Sequence, residues 1–423
     1  PAINAGHPDS TDSDGSRADM GGYPYLNTFV GPVWYVDSTN GSNITGTGSS
    51  FSAFANIGPA IRFAADGDSI NVAAGTYVEN VDFDGKNLKL VGVDREATII
   101  DGNSSGVAVR MTNYIDQALL KNFTIQNGSS EEGGGLYVLN SDPTLKNLMI
   151  KNNASTWNGG GIFCNGASPI IEDVTILSNS AVNVSGGIHF INGSNAKVIN
   201  VDIINNAAAV VGGGINCYGS SPNIYKVTLV GNTSGNGGGI FCGDGSSPNV
   251  LNTVIADNYP QEIYFDESST GDSISISFSV VKNGQSGITT NDNGTVMWGL
   301  GNIDIDPMFT DTASADYSLQ RISHLIDRGH PDSTDLDGTR ADIGAYYFDQ
   351  IDLPGRINPR TFIESDSVTI NWSTSSDATV SSYKIYRSYG SGVLDSESNK
   401  LLDYSAATEL ATVSGTSYTD GAV

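Results

Sequence analysis

The sequence is poor in cations, in cysteine and in long apolar runs. Its 423 residues hold 20 Lys and Arg against 46 Asp and Glu, which gives a formal charge of −26. Because phosphate binding needs clustered cations, this balance disfavours a nucleic-acid partner. No apolar run reaches the roughly 18 residues that a membrane-spanning helix needs. The 3 cysteines are few and odd in number, which disfavours a disulfide framework.

Long amphipathic helical patterns are also absent. Short Val, Ile and Leu runs are separated by Asn, Ser, Thr and Asp, and glycine occurs 51 times. This pattern is typical of an all-β chain that is dense in turns. The acidic composition suits solubility, divalent cations or an extracellular setting. Since the chain begins PAINAG without Met, we expect a mature or excised piece of a longer precursor.

The centre of the chain repeats with a period near 26 residues. Glycine runs begin at 133, 159, 186, 212 and 237, and each precedes a short apolar pattern. The first apolar residues after them are Leu136, Ile162, Ile188, Ile215 and Ile240. A rung this short cannot bury its own apolar face, so the rungs are expected to stack into a solenoid. A leucine-rich repeat, the alternative at this period, would need an LxxLxL spacing that is missing.

Two further columns recur at the same period. Asparagines are expected to form a ladder of side-chain amides at a tight turn. Their positions are Asn127, Asn153, Asn179, Asn206, Asn232 and Asn258. An inward column, Val138, Cys164, Phe190, Cys217 and Cys242, makes the cysteines small buried apolar residues. We predict free thiols, although the adjacent rungs of Cys217 and Cys242 leave a disulfide open.

The pattern resembles the right-handed parallel β-helix, the pectin-lyase-like superfold. Residues 34–102 are similar to the opening of many secreted bacterial β-helices, in which a short helix near IGPAIRFA caps the first rung. The resemblance covers residues 30–347 and implies an all-β solenoid of ~26-residue rungs. Enzymes of this superfold need Asp clusters and a basic proton acceptor on one face of successive rungs.

One acidic segment occurs twice. Residues 6–23 and 329–346 are identical at 14 of 18 positions. The second copy follows residues 301–329, which resemble the closing part of the same bacterial β-helices, so we interpret it as an end-of-helix element. Residues 1–29 are then predicted to be the end of a preceding β-helix unit or a segment that docks on a neighbour.

The same acidic segment provides the candidate cation site. Asp-rich turns supply the oxygens that Ca²⁺ prefers, and DxDG resembles the start of a Ca²⁺ loop, although no bidentate Glu follows it. The candidate ligands are Asp9, Asp12, Asp14, Asp19, Asp332, Asp335, Asp337 and Asp342. The alternative is a structural Asx turn in which Arg340 pairs with an aspartate.

Residues 352–423 follow a different pattern. They resemble a fibronectin type III domain, with Trp372 as its core aromatic and Tyr383 and Ile385 on a central strand. A whole domain of this type needs about 90–100 residues and seven strands, so we expect a partial β-sandwich. Its open edge would be a template for pairing with another chain.

The outward column beside the cysteines carries aromatics and no catalytic set. It is composed of Tyr137, Phe163, His189, Asn216 and Phe241. Without paired carboxylates, Arg or Lys, it lacks what glycosidases and lyases use. Tyr137, Phe163 and Phe241 are candidates for stacking on sugar rings, and the alternative is that they fill space between rungs. His189 has no second metal ligand beside it and is interpreted as a bystander.

These features predict an extracellular, non-enzymatic structural or adhesion protein, either a β-helix stalk or a subunit of a surface assembly or filament. The expected partners are other copies of the chain or neighbouring surface proteins, joined head to tail, and glycans. The alternative is a polysaccharide lyase or hydrolase, or a carbohydrate-binding β-helix, that acts on acidic glycans.

Overall fold

The computed structural model describes residues 7, 10, 29–350, 360–364, 367–372, 382–387 and 408–420. The described backbone is nearly all β, as the sequence predicts. It divides into two compact units, residues 1–333 with 340–347 and residues 334–339 with 348–423. Within the described ranges, no helix is long and apolar enough to cross a membrane.

The first unit is a parallel β-solenoid. Its largest sheet, the long sheet, contains 15 strands among the described residues. Partners lie one rung apart, as Leu145 and Ile171 do. The strands are Val33–Val36, Ser69–Val72, Gly75–Val78, Lys89–Gly92, Thr98–Asp101, Leu119–Gln126, Thr144–Lys151, Ile170–Leu177, Lys197–Ile204, Asn223–Val230, Asn249–Leu251, Val254–Ala256, Ser273–Ser277, Val280–Val281 and Thr295–Trp298.

Two smaller parallel sheets complete the rungs. The short sheet consists of Val81–Asp82, Val109–Thr112, Leu136–Leu139, Ile162–Asn165, Ile188–Ile191, Ile215–Tyr218, Ile240–Gly243, Ile263–Phe265 and Ile288–Thr289. A third sheet consists of Ser129–Glu132, Ala154–Asn158, Ser180–Ala181 and Ala207–Ala208. Alternation of side chains directs one face of each sheet into a shared core.

A short α-helix, Ile57–Phe63, covers the first rung, as the sequence predicts. Its first two backbone N–H groups donate to the Glu79 carboxylate at 2.7 and 2.9 Å. Ile57, Ala60 and Ile61 are buried beneath it. The remaining elements of this unit are the hairpin strands Phe309–Asp311 and Asp316–Leu319 and the 3-10 turns Gly284–Gly287 and Thr312–Ser314.

The inward cysteine column is confirmed. Strand register aligns Val138 with Cys164 and Cys217 with Cys242. All three cysteines are fully buried free thiols, as predicted. Burial raises the pKa of the Cys164 thiol, so these side chains are inert apolar core groups.

The asparagine ladder is confirmed over five rungs. Its members are Asn153, Asn179, Asn206, Asn232 and Asn258, and all are buried. Asn179 is typical, since its Nδ2 donates to Asn206 Oδ1 (3.0 Å) and to the Ile150 carbonyl (2.9 Å). The last member donates its Nδ2 to Glu262 Oε2 at 2.7 Å, so this carboxyl group ends the ladder.

Asn127 does not belong to the ladder, contrary to the sequence prediction. The rung that contains it is one residue shorter, because Gln126 pairs with Lys151. The backbone of Gly128 therefore takes the ladder position and donates its N–H to Asn153 Oδ1 at 2.9 Å. The Asn127 amide binds the Asp101 carboxylate instead, at 2.8 Å.

The second copy of the acidic segment lies along the side of the solenoid, which corrects its interpretation as an end element. We call residues 329–333 and 340–346 the strap. The buried residues Ala341 and Ile343 anchor the strap. The edge of its His330 ring meets the Phe278 ring, with centroids 4.9 Å apart.

The strap crosses the outer face of the long sheet from a later rung to earlier ones. Gly344 N donates to the Asn252 carbonyl at 2.9 Å, and Ala345 N donates to Thr228 Oγ1 at 3.0 Å. The Tyr346 hydroxyl then hydrogen-bonds to the Asp202 carboxyl group, one rung further back. Polar groups of three successive rungs thus hold the strap.

The second unit contains antiparallel sheets, in keeping with the predicted partial sandwich. Arg360–Glu364, Ser367–Asn371 and Ser417–Asp420 form one sheet, and Tyr383–Arg387 with Thr408–Val413 forms another. Trp372 is buried and packs edge-on against Tyr383, with ring centroids 5.4 Å apart. The assignment to the fibronectin type III class stays a prediction.

Candidate functional site

One column of side chains lies on the outer face of the short sheet. Each member is the second residue of its strand, and its strand neighbours point inward. The column is Tyr137, Phe163, His189, Asn216, Phe241 and Tyr264. Ring centroids are 5.5 Å apart for Tyr137 and Phe163, 5.4 Å for Phe163 and His189, and 5.9 Å for Phe241 and Tyr264.

Phe163 and Phe241 do not offer free ring faces, in keeping with the alternative that they fill space between rungs, and sugar stacking on Tyr137 stays a prediction. Phe163 is 1% exposed and Phe241 is 5% exposed. Glycine turns that precede several of these strands lie against the column. At Gly159, whose φ is +66°, a Cβ would meet Phe163 Cβ at 2.9 Å. Tyr137 is half-buried, and the Arg110 guanidinium lies 4.7 Å from its ring centroid.

The stack is interrupted by a polar pair, His189 and Asn216. They are 4% and 1% exposed, yet both ring nitrogens of His189 and Oδ1 of Asn216 have no hydrogen-bond partner among the described residues. Burial lowers the pKa of His189 to about 3, so the ring is neutral and carries one donor and one acceptor. A buried polar atom without a partner costs about 1–3 kcal/mol, which a ligand could recover.

A cleft of about 270 Å³ opens over this pair. Its floor is the column from His189 to Tyr264. One wall is formed by Val184, Val211 and Asn236, which bridge one another across three rungs. The opposite wall is formed by Tyr218, Asp266 and Glu267. The arrangement combines hydrogen-bonding groups at the base with an aromatic side and an acidic rim.

Asp266 and Glu267 are functional candidates that the sequence reasoning missed. They follow the strand Ile263–Phe265, in a part of the chain where the period loosens. Extending the outward column by one rung, to Tyr264, would have placed these two carboxylates beside it. Gly243 keeps the space open, because a Cβ there would lie 3.1 Å from Tyr218 Cδ2 and 3.3 Å from Asp266 Cβ.

The predicted cation ligands are not drawn together in the part of the chain that the structure describes. There, no three His, Cys, Asp or Glu side chains are grouped as a metal site requires. Asp9, Asp12, Asp14 and Asp19 lie outside the described residues. The others are Asp332, Asp335, Asp337 and Asp342, of which Asp332 is exposed and Asp342 is buried.

Asp337 forms an Asx turn, as the structural alternative expects, whereas Arg340 Nε donates to the Gly329 carbonyl at 2.6 Å. Asp337 Oδ1 accepts from Thr339 N at 2.9 Å and from its hydroxyl at 2.7 Å, which is an Asx turn. Asp342 Oδ1 accepts from Asp327 N at 2.6 Å. Asp335 closes a tight turn through its backbone, with Thr339 O at 3.0 Å. Ca²⁺ binding by this segment stays a prediction.

Comparison with known proteins agrees with the described rungs. A family model for the right handed beta helix region matches residues 105–302. The solenoid is a right-handed β-helix. Curated proteins give no match to the sequence.

Three solved structures show distant similarity to this chain. A pectin methylesterase from carrot is 15% identical, with 66% of this chain and 90% of that chain covered and a TM-score of 0.31. A pectin methylesterase from Yersinia enterocolitica is 14% identical, with coverages of 60% and 92% and a TM-score of 0.31. A GH136 lacto-N-biosidase from Eubacterium ramulus is 12% identical, with coverages of 64% and 68% and a TM-score of 0.32. At this distance the similarity concerns the fold alone.

Proposed function

We propose that this β-helix is a non-enzymatic extracellular adhesion protein that binds a neutral carbohydrate chain in the cleft over His189 and Asn216. The observation that carries the proposal is the pair of buried polar side chains without partners at the cleft floor. A buried polar group is normally paired, and each exception needs an explanation. A bound ligand would explain this exception, because a ligand hydroxyl can donate to Asn216 Oδ1 and accept from the His189 ring.

The walls suit a sugar as well as the floor does. Tyr218 is 39% exposed at the cleft and offers an aromatic surface on which an apolar sugar face can pack. The volume of about 270 Å³ is small for a ligand pocket. We therefore expect one sugar ring to be seated in the cleft while the rest of a glycan chain runs along the solenoid.

The charge of the cleft favours a neutral glycan over the acidic glycans of the sequence-based alternative. Asp266 and Glu267 line the rim, and no Lys or Arg is among the described lining residues. The whole chain carries −26. Because like charges are repelled at a binding surface, uronic acids would bind less well than neutral sugars.

The experiment is a glycan array with the full chain, followed by calorimetry on the best neutral glycan. His189→Phe keeps a ring in the stack and removes both nitrogens, and we expect affinity to fall by about tenfold or more. Arg110→Gln, one rung before Tyr137 and away from the cleft, is the matched control and should bind as the wild type does. Absence of any neutral-glycan binding, or full binding by both His189→Phe and Asn216→Ala, would overturn the proposal.

A polysaccharide hydrolase or lyase is the second candidate, favoured by the two carboxylates near His189. Glycosidases use a carboxyl pair on either side of the scissile bond. Here Asp266 Oδ1 accepts from Ser268 N at 3.0 Å, and the two acids are consecutive in one turn. Incubation with pectin, alginate and neutral polysaccharides decides between binding and cleavage. Release of oligosaccharides that Glu267→Gln abolishes would establish an enzyme.

The adhesion role is supported by the shape of the first unit. A continuous stack of rungs with a buried amide ladder is a rigid support for an exposed cleft. Thr295–Trp298 ends the long sheet among the described strands, and a free sheet edge can pair with another chain. Association with other copies is therefore part of the proposal. Sedimentation of the full chain over a range of concentrations tests it, and a monomer throughout would remove it.

A further inference from the structure

A second cleft lies on a different surface of the solenoid, the outer face of the long sheet beside the strap. Its volume is about 170 Å³. Its polar lining residues are Arg95, Asn147, Asp173, Thr175, Asn200, Asp202 and Tyr346. None of them lines the cleft over His189 and Asn216. The two clefts therefore have separate walls and can be altered separately.

Asp202 is the unusual member of this lining. It is 7% exposed, and its Oδ1 has no hydrogen-bond partner among the described residues. The Tyr346 hydroxyl bonds to its carboxyl group. Burial raises the pKa of Asp202 to about 7, against the opposing effects of Tyr346 and Arg95. A buried carboxyl oxygen without a donor, on a residue that lines a cleft, is a group that a ligand could satisfy.

The surroundings supply both donors and acceptors. Asn200 Nδ2 donates to Asp173 Oδ1 at 2.7 Å, which fixes a polar edge of the cleft. The Arg95 guanidinium contributes a positive charge and forms an ion pair with the Glu96 carboxylate at 2.9 Å. Thr175 adds a hydroxyl group. Because both signs of charge are present and nearly balanced, neither an anion nor a cation is favoured as the ligand.

We propose that this cleft is a second binding site, for a small neutral polyhydroxyl ligand of about the size of one sugar unit. Such a ligand can donate a hydroxyl proton to Asp202 Oδ1 and accept from neighbouring donors at the same time. The strap completes the site, because Tyr346 closes it over a rung far from it in sequence. The site is distinct from the proposed adhesion cleft and does not depend on it.

Saturation-transfer NMR on the full chain tests the site, with methyl α-D-glucopyranoside, methyl α-D-galactopyranoside and myo-inositol as probes. We expect at least one probe to bind the wild type at millimolar concentration. Asn200→Ala and Asp202→Asn should each weaken that binding by about tenfold. His189→Phe, in the other cleft, should leave it unchanged. Thermal unfolding of each variant checks that the fold is retained.

Three outcomes would overturn the inference. One is that no probe binds the wild type. Another is that binding survives in both Asn200→Ala and Asp202→Asn. The third is that His189→Phe abolishes it, which would place the ligand in the other cleft. Because Asn200 is a partly buried surface residue, its variant keeps the test valid even if Asp202→Asn fails to fold. Failure here leaves the glycan-array result untouched, so the two proposals are separable.

Discussion

Each of two outer faces of the solenoid holds a cleft that is lined by a buried titratable side chain, and the two side chains have opposite proton linkage. On the short sheet, burial lowers the pKa of His189 to about 3. On the long sheet, burial raises the pKa of Asp202 to about 7. Burial favours the neutral form in both cases, so it lowers the pKa of a base and raises that of an acid.

The faces also differ in what covers them. On the short sheet, turns that belong to the repeat itself lie against the column, as Gly159 does at Phe163, whereas Asp202 contacts Tyr346 from a strap outside the repeat. On both faces, the candidate site lies where the type of side chain in a column changes. His189 and Asn216 interrupt stacked aromatics, and Asp202 follows Thr175 in a row of uncharged residues. The repeat builds the scaffold, and the two candidate sites lie at its irregular positions.

The largest predicted effect comes from a substitution in the buried asparagine ladder, which lies in the interior behind both faces. Asn206 donates from N and Nδ2 to Asn232 Oδ1 at 2.9 and 3.0 Å and accepts from both nitrogens of Asn179. Asn206→Ala leaves several buried groups unpaired, so we expect a loss of about 4 kcal/mol in the free energy of unfolding, measured by urea titration. Both clefts should lose ligand affinity with it.

A surface amide provides the control for the ladder. Asn147 Nδ2 donates to Asn122 Oδ1 at 2.9 Å on the outer side of the long sheet, and its φ is +49°. Asn147→Gly removes the amide without backbone strain, so we expect a loss below about 1 kcal/mol. Equal losses for Asn206→Ala and Asn147→Gly would contradict the central role of the buried ladder.

The second prediction concerns the long-sheet face. The pKa of Asp202 in the folded protein, about 7, lies above the unfolded value of 3.8. Its contribution to stability is therefore complete below about pH 4 and is lost as pH rises to 7. Asp202→Asn should remove this loss, so between pH 4.5 and 7.5 the wild type should lose about 2 kcal/mol more than the variant in urea unfolding.

Glu262 also contributes to the pH dependence of the free energy of unfolding in that measurement. Burial also raises its pKa to about 7, so the Asp202→Asn variant should keep part of the fall in stability. Glu262→Gln is the matched variant at the end of the ladder and should remove the other part. If Asp202→Asn unfolds with the same pH dependence as the wild type, the assignment of a buried protonated carboxyl group to this face is wrong.

The third prediction concerns the short-sheet face and has the opposite sign. The folded pKa of His189, about 3, lies below the unfolded value of 6.5. Its contribution is present above pH 6.5 and is lost as pH falls, because only the unfolded state gains the proton. His189→Phe should therefore be more stable than the wild type by about 1 kcal/mol at pH 5. A variant less stable than the wild type at both pH 5 and pH 7.5 would show that the column cannot accept the ring.

The interior of the fold could be predicted from sequence because a solenoid repeats locally. The columns of Val138 and Cys164, and most of the amide ladder, follow from spacing alone. Asn127 was misassigned because its rung is one residue shorter than the period suggests. A fixed period predicts registers well and single insertions or deletions poorly.

The clefts could not be predicted, because they depend on contacts across the repeat. Period alone does not show that a glycine turn covers Phe163 or that Tyr346 meets Asp202. The duplicated segment was recognised, but its place beside the solenoid depends on polar side chains of separate rungs, such as Thr228. Sequence separation gives no distance for such lateral contacts.

The smallest predicted effect concerns the aspartates of the duplicated segment. In the described copy, Asp337 already accepts from Thr339 N at 2.9 Å and from Gln350 N at 3.0 Å. Millimolar Ca²⁺ in place of EGTA should therefore shift the free energy of unfolding by less than about 0.5 kcal/mol. Asp14 is the equivalent of Asp337 in the first copy, so Asp337→Asn and Asp14→Asn form a matched pair. Two results together would establish the Ca²⁺ loop, because a cation that binds the folded state stabilises it. Ca²⁺ would have to stabilise the wild type by more than about 2 kcal/mol, and Asp337→Asn would have to remove this stabilisation while Asp14→Asn keeps it.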